Sequence, residues 1–194
     1  MSDDVTRALQ ARGALLDGHF RLSSGRHSDR FVQKFRILED PAILEQLAKQ
    51  LAGAIRQYAP SIVVSAAVGG IILGYEVARQ LGTLAIFVEK EDGLPRLRRN
   101  FVLEPGARVL VVEDVVTTGR SVREVLDVVA AAGAETVAVA VLVRRAPIEF
   151  GPPTFALLDL PIASYEPADC PFCASGVPLT EPGSRFLAGE AKSR

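Results

Sequence analysis

Val109-Leu110-Val111-Val112-Glu113-Asp114-Val115-Val116-Thr117-Thr118-Gly119-Arg120-Ser121-Val122 is the stretch on which the reading of this chain turns. Val109 to Val112 is a short apolar run rich in β-branched residues, the pattern of a parallel strand buried on both faces. Each such side chain contributes about 1.5–3 kcal/mol when fully buried. Two carboxylates, Glu113 and Asp114, stand at the carboxyl end of the run. A loop of Thr and Gly follows. Beyond it Val122, Val125, Leu126 and Val129 recur at helical spacing, and Gly133 sits where a helix would end. Open α/β sheets bind ligands just past the carboxyl ends of their strands. Backbone N–H groups at a helix N-terminus, helped by Thr and Ser hydroxyls, suit a phosphate. Carboxylates repel that phosphate but accept hydrogen bonds from sugar hydroxyls. The stretch therefore reads as a site for a ribose 5-phosphate. A capped strand-to-helix turn, where Asp and Thr are common anyway, is the plainer alternative.

Similar units lie on both sides. Asp40-Pro41 opens a helix, with Asp as N-cap and Pro in the first turn, and Leu44, Leu47, Leu51 and Ile55 mark its buried face. Ser61 to Ala66 reads as a buried strand running into Val68-Gly69-Gly70 and a second helix. Those glycines let backbone approach a pyrophosphate, although such a turn is also common for structural reasons. Leu84 to Val88, Thr136 to Val143 and Phe155 to Leu160 read as further strands. Strands alternating with helices give an α/β fold with a central parallel sheet flanked by helices.

The remaining segments differ in kind. Residues 3–14 read as a short helix. Gly18 to Gln33 is polar, holds both histidines, His19 and His27, and fits a hairpin with strands near 19–22 and 29–33 and a turn at Ser24-Gly25. Taken alone, these two histidines read as surface residues rather than ligands. Glu89 to Asn100 is charged, with Gly93, Pro95 and a cluster of Arg96, Arg98 and Arg99. It reads either as a solvated hairpin or as a mobile cationic loop able to close over a diphosphate. From Ile162 onward Pro and Gly are frequent and helical periodicity is absent. Cys170-Pro171-Phe172-Cys173 resembles half of a zinc knuckle, but a four-ligand site needs two more groups and no second cysteine pair exists. A structural turn with reduced thiols is the preferred reading. Zinc shared across a dimer, two cysteines from each chain, is the alternative.

Length and composition set the bounds. A chain of 194 residues fits a single domain, and 48% hydrophobic residues supply a real core. The net charge of −1 gives no general attraction to nucleic acid or to an anionic membrane. No apolar run reaches bilayer length, and the acidic Met1-Ser2-Asp3-Asp4 start lacks a signal-peptide pattern. Two cysteines make no disulfide framework. A cytoplasmic protein without nucleic-acid or membrane partners is expected.

The opening stretch resembles the phosphoribosyl pyrophosphate (PRPP) motif of type I phosphoribosyltransferases. The resemblance implies that Glu113 and Asp114 hold the ribose hydroxyls and that Val116, Thr117, Thr118, Gly119, Arg120 and Ser121 wrap the 5-phosphate. The segment from Gly18 to Gln33 resembles the N-terminal signature of orotate phosphoribosyltransferases, where it forms a hood over the base. The likeness to that family runs from Gly18-His19-Phe20 through Arg145 to the tail Pro178-Leu179-Thr180-Glu181-Pro182-Gly183-Ser184-Arg185. It implies a type I phosphoribosyltransferase fold with a core at about 40–158, hood elements at 15–35 and 160–190 and a mobile loop at 89–100. The implied activity is displacement of pyrophosphate from PRPP by N1 of orotate in pyrimidine biosynthesis. The implied cofactor is Mg²⁺ carried on PRPP rather than on protein ligands, and the implied assembly is a homodimer with shared active sites.

For the bases, the resemblance points to Ser24, Gly25, Arg26, Phe31, Thr117 and Arg145 as the orotate contacts. Gly69, Gly70 and Lys90 would face the pyrophosphate, with Asp114, Lys90, Arg98 and Arg99 as the catalytic groups. This chain departs from many relatives in having Gly69 where they carry a lysine, Glu89-Lys90 at the start of the loop, and Ser23 at a lysine position of the hood. Lys90, Arg96, Arg98 and Arg99 are then left to supply the cations. A purine phosphoribosyltransferase and a PRPP-binding regulator are the other readings; a regulator would usually carry a basic face or added module, and none is visible.

Overall fold

The computed structural model describes residues 2–22 and 24–182. Ser23 and residues 183–194, which include the end of the tail expected to join the hood, lie outside the described residues. The chain runs α1 (Ser2–Ala11), β1 (Leu15–Arg21), β2 (His27–Val32), α2 (Phe35–Leu38), α3 (Pro41–Ile55), β3 (Ile62–Ala66), α4 (Gly69–Leu81), β4 (Leu84–Glu91), β5 (Leu94–Leu97), β6 (Arg108–Val116), α5 (Arg120–Ala131), β7 (Glu135–Arg144), β8 (Thr154–Asp159), β9 (Ser164–Tyr165) and α6 (Pro171–Ala174). Among the described residues no helix is long and apolar enough to cross a membrane.

Six strands form the main sheet in the order β5-β4-β3-β6-β7-β8, parallel throughout except for β5. The order reverses between β3 and β6, which places a crevice at their carboxyl ends. Alternation along β6 explains the two cores. Leu110 and Val112 face a cluster with Leu47, Leu51 and Ile55 of α3 and Leu73 and Val77 of α4. Val109 and Val111 face a cluster with Val122, Val125 and Val129 of α5. The helix at Asp40-Pro41 begins as expected, with the Asp40 carboxylate accepting from the N–H groups of Ala42 and Ile43.

A second sheet, β1-β2-β9, is antiparallel. The sequence reading placed only its hairpin, and set β1 too late. The strand already begins at Leu15, and α1 stops at Ala11 instead of continuing to residue 14. The tail is more regular than its composition suggested, because β9 pairs with β2 and the Cys170–Cys173 turn winds into α6. Segment 89–100 takes the hairpin form. β4 continues to Glu91, Asp92-Gly93 makes the turn, and Lys90 pairs with Pro95 in β5.

Candidate active site

β6 does not stop at Val112. Its ladder to β7 continues through Glu113 and Val115 to Val116, so the acidic pair lies inside the strand. Both carboxylates are buried, Asp114 at 1% exposure and Glu113 at 6%. Val116 is a correction to the expected phosphate loop. It is a buried strand residue whose carbonyl accepts from the Arg145 N–H, and its side chain belongs to the α5-side core. The loop proper is Thr117-Thr118-Gly119, with both threonines exposed.

Two requirements make that loop. Gly119 has φ +75°, and a Cβ there would lie 2.7 Å from the Phe150 ring and 2.9 Å from Arg123. Only glycine meets both conditions. Arg123 donates to the Thr118 carbonyl at 3.0 Å and lies over the Phe150 ring at 5.3 Å, which clamps the loop from behind. The N–H groups of Thr118, Gly119 and the first turn of α5 have no acceptor in the described residues. They open into a cavity of about 550 Å³ lined by Ala66, Ala67, Thr117 to Ser121 and, from the β4–β5 arm, Glu89, Lys90 and Pro95. Free N–H groups at the start of a twelve-residue helix form an anion site.

The two carboxylates diverge. Ser121 donates its hydroxyl to Glu113, tying that carboxylate to α5. Burial first, and then the neighbouring Asp114 charge, push Glu113 up to about 7 against these hydrogen bonds. Asp114 points toward α4 and the small sheet. Lys34, just after β2, donates to its Oδ1 at 3.1 Å and lies 2.8 Å from Oδ2, which has no aligned donor of its own. A Cβ on Gly69 would lie 1.8 Å from that Oδ2 and 2.9 Å from the Lys34 ammonium. Gly69 therefore makes room for the Lys34–Asp114 pair. The sequence reading missed Lys34. Its one signal was the absence of a lysine at Gly69, for which the hood supplies a cation instead of the loop. Gly70 packs against Glu113 and the β6 backbone, so the Gly69-Gly70 turn closes onto the acidic pair.

Other expected residues are placed as follows. Arg145 follows β7; its Nε is buried without a partner, and burial holds its guanidinium below the usual value, opposed by nearby Asp29. Ser24 and Gly25 form the β1–β2 turn and Phe31 packs near Phe20. Arg26 is engaged elsewhere: its guanidinium holds Ser164 of β9 and Glu166. Of the cations on the arm, Lys90 lines the cavity but pairs with Glu124 at 3.0 Å, where Arg120 also binds at 2.9 Å. Arg98 pairs with Glu91 and Arg99 with Glu89, and neither lines the cavity. Cys170 and Cys173 lie with both histidines under the small sheet, away from this cavity; His19 and His27 are buried, not on the surface.

Residues 35–149 match the family model described as the phosphoribosyl transferase domain. The chain is 50% identical over 187 residues to the orotate phosphoribosyltransferase of Heliobacterium modesticaldum, covering 94% of this chain and 98% of that protein. The chain belongs to the orotate phosphoribosyltransferase family. The family member of Thermotoga maritima is 44% identical over 185 residues, covering 94% of this chain and 99% of that protein. Among solved structures, orotate phosphoribosyltransferase from Aeropyrum pernix superposes with a TM-score of 0.65 at 27% identity, covering 79% of this chain and 92% of that one. Adenine phosphoribosyltransferase from Rhodothermus marinus superposes with a TM-score of 0.64 at 22% identity, which is a likeness of fold alone. The type I phosphoribosyltransferase fold is thus common to both groups, and high identity over nearly the full chain is to the orotate branch.

Proposed function

We infer that the chain transfers the 5-phosphoribosyl group of PRPP to orotate, giving orotidine 5′-monophosphate and pyrophosphate in pyrimidine biosynthesis. The single observation that carries the reading is the near full-length identity to orotate phosphoribosyltransferases. The site geometry supports it. The free N–H groups of Thr118, Gly119 and the start of α5 take the 5-phosphate, with Thr117 and Ser121 beside them. Glu113 and Asp114 take the ribose hydroxyls from below. The Gly69-Gly70 turn offers backbone to the diphosphate.

Mg²⁺ bound to PRPP would offset the charge of the diphosphate, and the buried Asp114 Oδ2, beside the Lys34 ammonium but without an aligned donor, would accept from a ribose hydroxyl. N1 of the orotate anion forms the bond to C1 of the ribose as the bond from C1 to the diphosphate oxygen breaks, and the electron pair leaves on pyrophosphate. Positive charge grows on the ribose in between, and the Glu113–Asp114 field stabilises it. Lys90, by exchanging Glu124 for the leaving diphosphate, and Lys34, beside Asp114, supply cations to the site. Arg145, with its unpartnered Nε, receives the orotate carboxylate beneath the Ser24–Arg26 turn.

The enzyme works in the cytoplasm as a homodimer. Arg98 and Arg99, which do not line their own cavity, support a role at the partner's site. The test is pyrophosphate release by the purified protein from PRPP and Mg²⁺ with orotate, adenine, guanine or xanthine in turn. Turnover with orotate alone is expected. Equal or faster turnover with a purine, or none with orotate, overturns the reading.

A further inference from the structure

His19, His27, Cys170 and Cys173 each direct one ligand atom at a common point, all four atoms lying within 4.8 Å of one another. Three of the four residues are buried, His19 at 2%, His27 at 5% and Cys170 at 3% exposure. The two nitrogens, His19 Nε2 and His27 Nδ1, are 3.1 Å apart. Cys170 Sγ is 3.4 Å from His19 Nε2, and Cys173 Sγ is 3.7 Å from His19 Nε2 and 3.3 Å from His27 Nδ1. A tetrahedral zinc ion with bonds of about 2.05 Å to nitrogen and about 2.3 Å to sulfur needs edges of about 3.3 Å between nitrogens and about 3.6 Å between nitrogen and sulfur. Those four spacings lie within about 0.3 Å of the corresponding edges, and the other two pairs lie within 4.8 Å.

Two further observations point the same way. His19 Nδ1 lies 2.8 Å from the Val177 carbonyl, which can only accept. Nδ1 therefore carries the proton and Nε2 is a bare lone pair facing the cluster, the arrangement that orients a metal-bound histidine. A hydrogen-bonded quartet without metal would offer that lone pair more neighbours than it can use. The backbone is also shaped for it. Register shifts between Asp17 and Phe20, so that Gly18 and His19 together oppose one residue of β2, and His19 and Phe20 are both buried in place of strict alternation. A bulge of this kind re-aims a side chain.

We propose that His19, His27, Cys170 and Cys173 of a single chain bind one structural zinc ion, which fastens α6 to the β1–β2 hairpin. Two thiolates and two neutral imidazoles balance the charge of Zn²⁺, so a neutral complex fills a largely buried site, and binding releases the two thiol protons. A tetrahedral set of two sulfur and two nitrogen ligands with no open position selects zinc for structure rather than chemistry. The clasp ties together the segments around the Ser24–Gly25 turn. It supplies both missing ligands from within the chain, so no dimer is needed to complete the site.

Elemental analysis of the intact purified protein, grown with zinc and dialysed against a weak chelator, reads the stoichiometry. One zinc per chain is expected, falling at least tenfold in Cys173→Ser and in His27→Ala. Apo protein reloaded with Co²⁺ gives a second readout that needs no variant: intense visible bands of tetrahedral cobalt together with thiolate-to-cobalt charge transfer. Zinc below a tenth per chain in the wild type, or a Co²⁺ spectrum without thiolate bands, overturns the proposal. Retention of half a zinc per chain in His27→Ala, lost only with the cysteines, also overturns it in favour of cysteines shared across a dimer. None of these readouts depends on turnover, so the proposal and the enzymatic reading fail separately.

Discussion

Lys34 and Asp114 are 80 residues apart in the chain and 2.8 Å apart in the fold, and between them lies a glycine that could be nothing larger. Their neighbour Glu113 bears the other cost of the site. Its carboxyl is raised to about 7, chiefly by burial. Unfolded, it titrates near 4.5. From pH 4.5 to 7 the folded state therefore holds a proton that the unfolded state has lost, so stability falls as pH rises through that window and the full penalty applies above it. Glu113→Gln should raise Tm by several degrees at pH 8.5 and by almost nothing below pH 4.5, by calorimetry across the pH range. A flat difference would show that Glu113 ionises freely in the fold. At Arg145 the issue is a donor without a partner. Arg145→Ala should raise KM for orotate by about 10- to 100-fold, the worth of a charge-assisted hydrogen bond of about 1.5–3 kcal/mol, while KM for PRPP changes little. Equal rises in both constants would place the guanidinium elsewhere.

At the scale of elements, Gly119 shows how the loop and α5 depend on each other. Gly119→Ala must accept a positive φ and push Phe150 from its place. A loss of about 1–3 kcal/mol in stability is expected from denaturant unfolding, with a larger loss in PRPP binding by calorimetric titration. Unchanged PRPP affinity would mean the loop does not hold the phosphate. Much of this element was legible in the sequence, because the apolar run, the carboxylates and the helical spacing follow local rules. The extent of β6 was not. Charged residues rarely lie inside a buried strand, and only the tertiary partners Ser121 and Lys34 make Glu113 and Asp114 tolerable there. The partners of Arg26 were illegible for a related reason: its place beside the hairpin turn follows local rules, but β9, which engages it, is two residues long and too short to leave a pattern. His19 and Cys170 were legible as residue types and not as neighbours, since 151 residues separate them.

For the whole molecule, the arm formed by β4 and β5 sets the question of how many chains make one site. Lys90 faces its own cavity, whereas Arg98 and Arg99 are held by Glu91 and Glu89. A subunit carrying Asp114→Asn keeps an intact arm, and one carrying Arg98→Ala with Arg99→Ala keeps an intact carboxylate pair. Each variant alone should lose at least about 100-fold in kcat/KM. Mixing with subunit exchange should restore activity, read as turnover against mixing ratio; activity no higher than the sum of the parents, with exchange proven, would confine the arm to its own chain. The arm also has a consequence unrelated to catalysis. Without it the outer edge of β4 from Val88 to Glu91 would present a row of open amide and carbonyl groups, a template for any other extended chain. β5 covers that edge with only four residues, reverses direction, and places Pro95, which has no N–H to offer, beside Arg96. The working arm is thus also a bumper, and a chain lacking residues 92–97 should scatter light on standing while its phosphate loop stays whole.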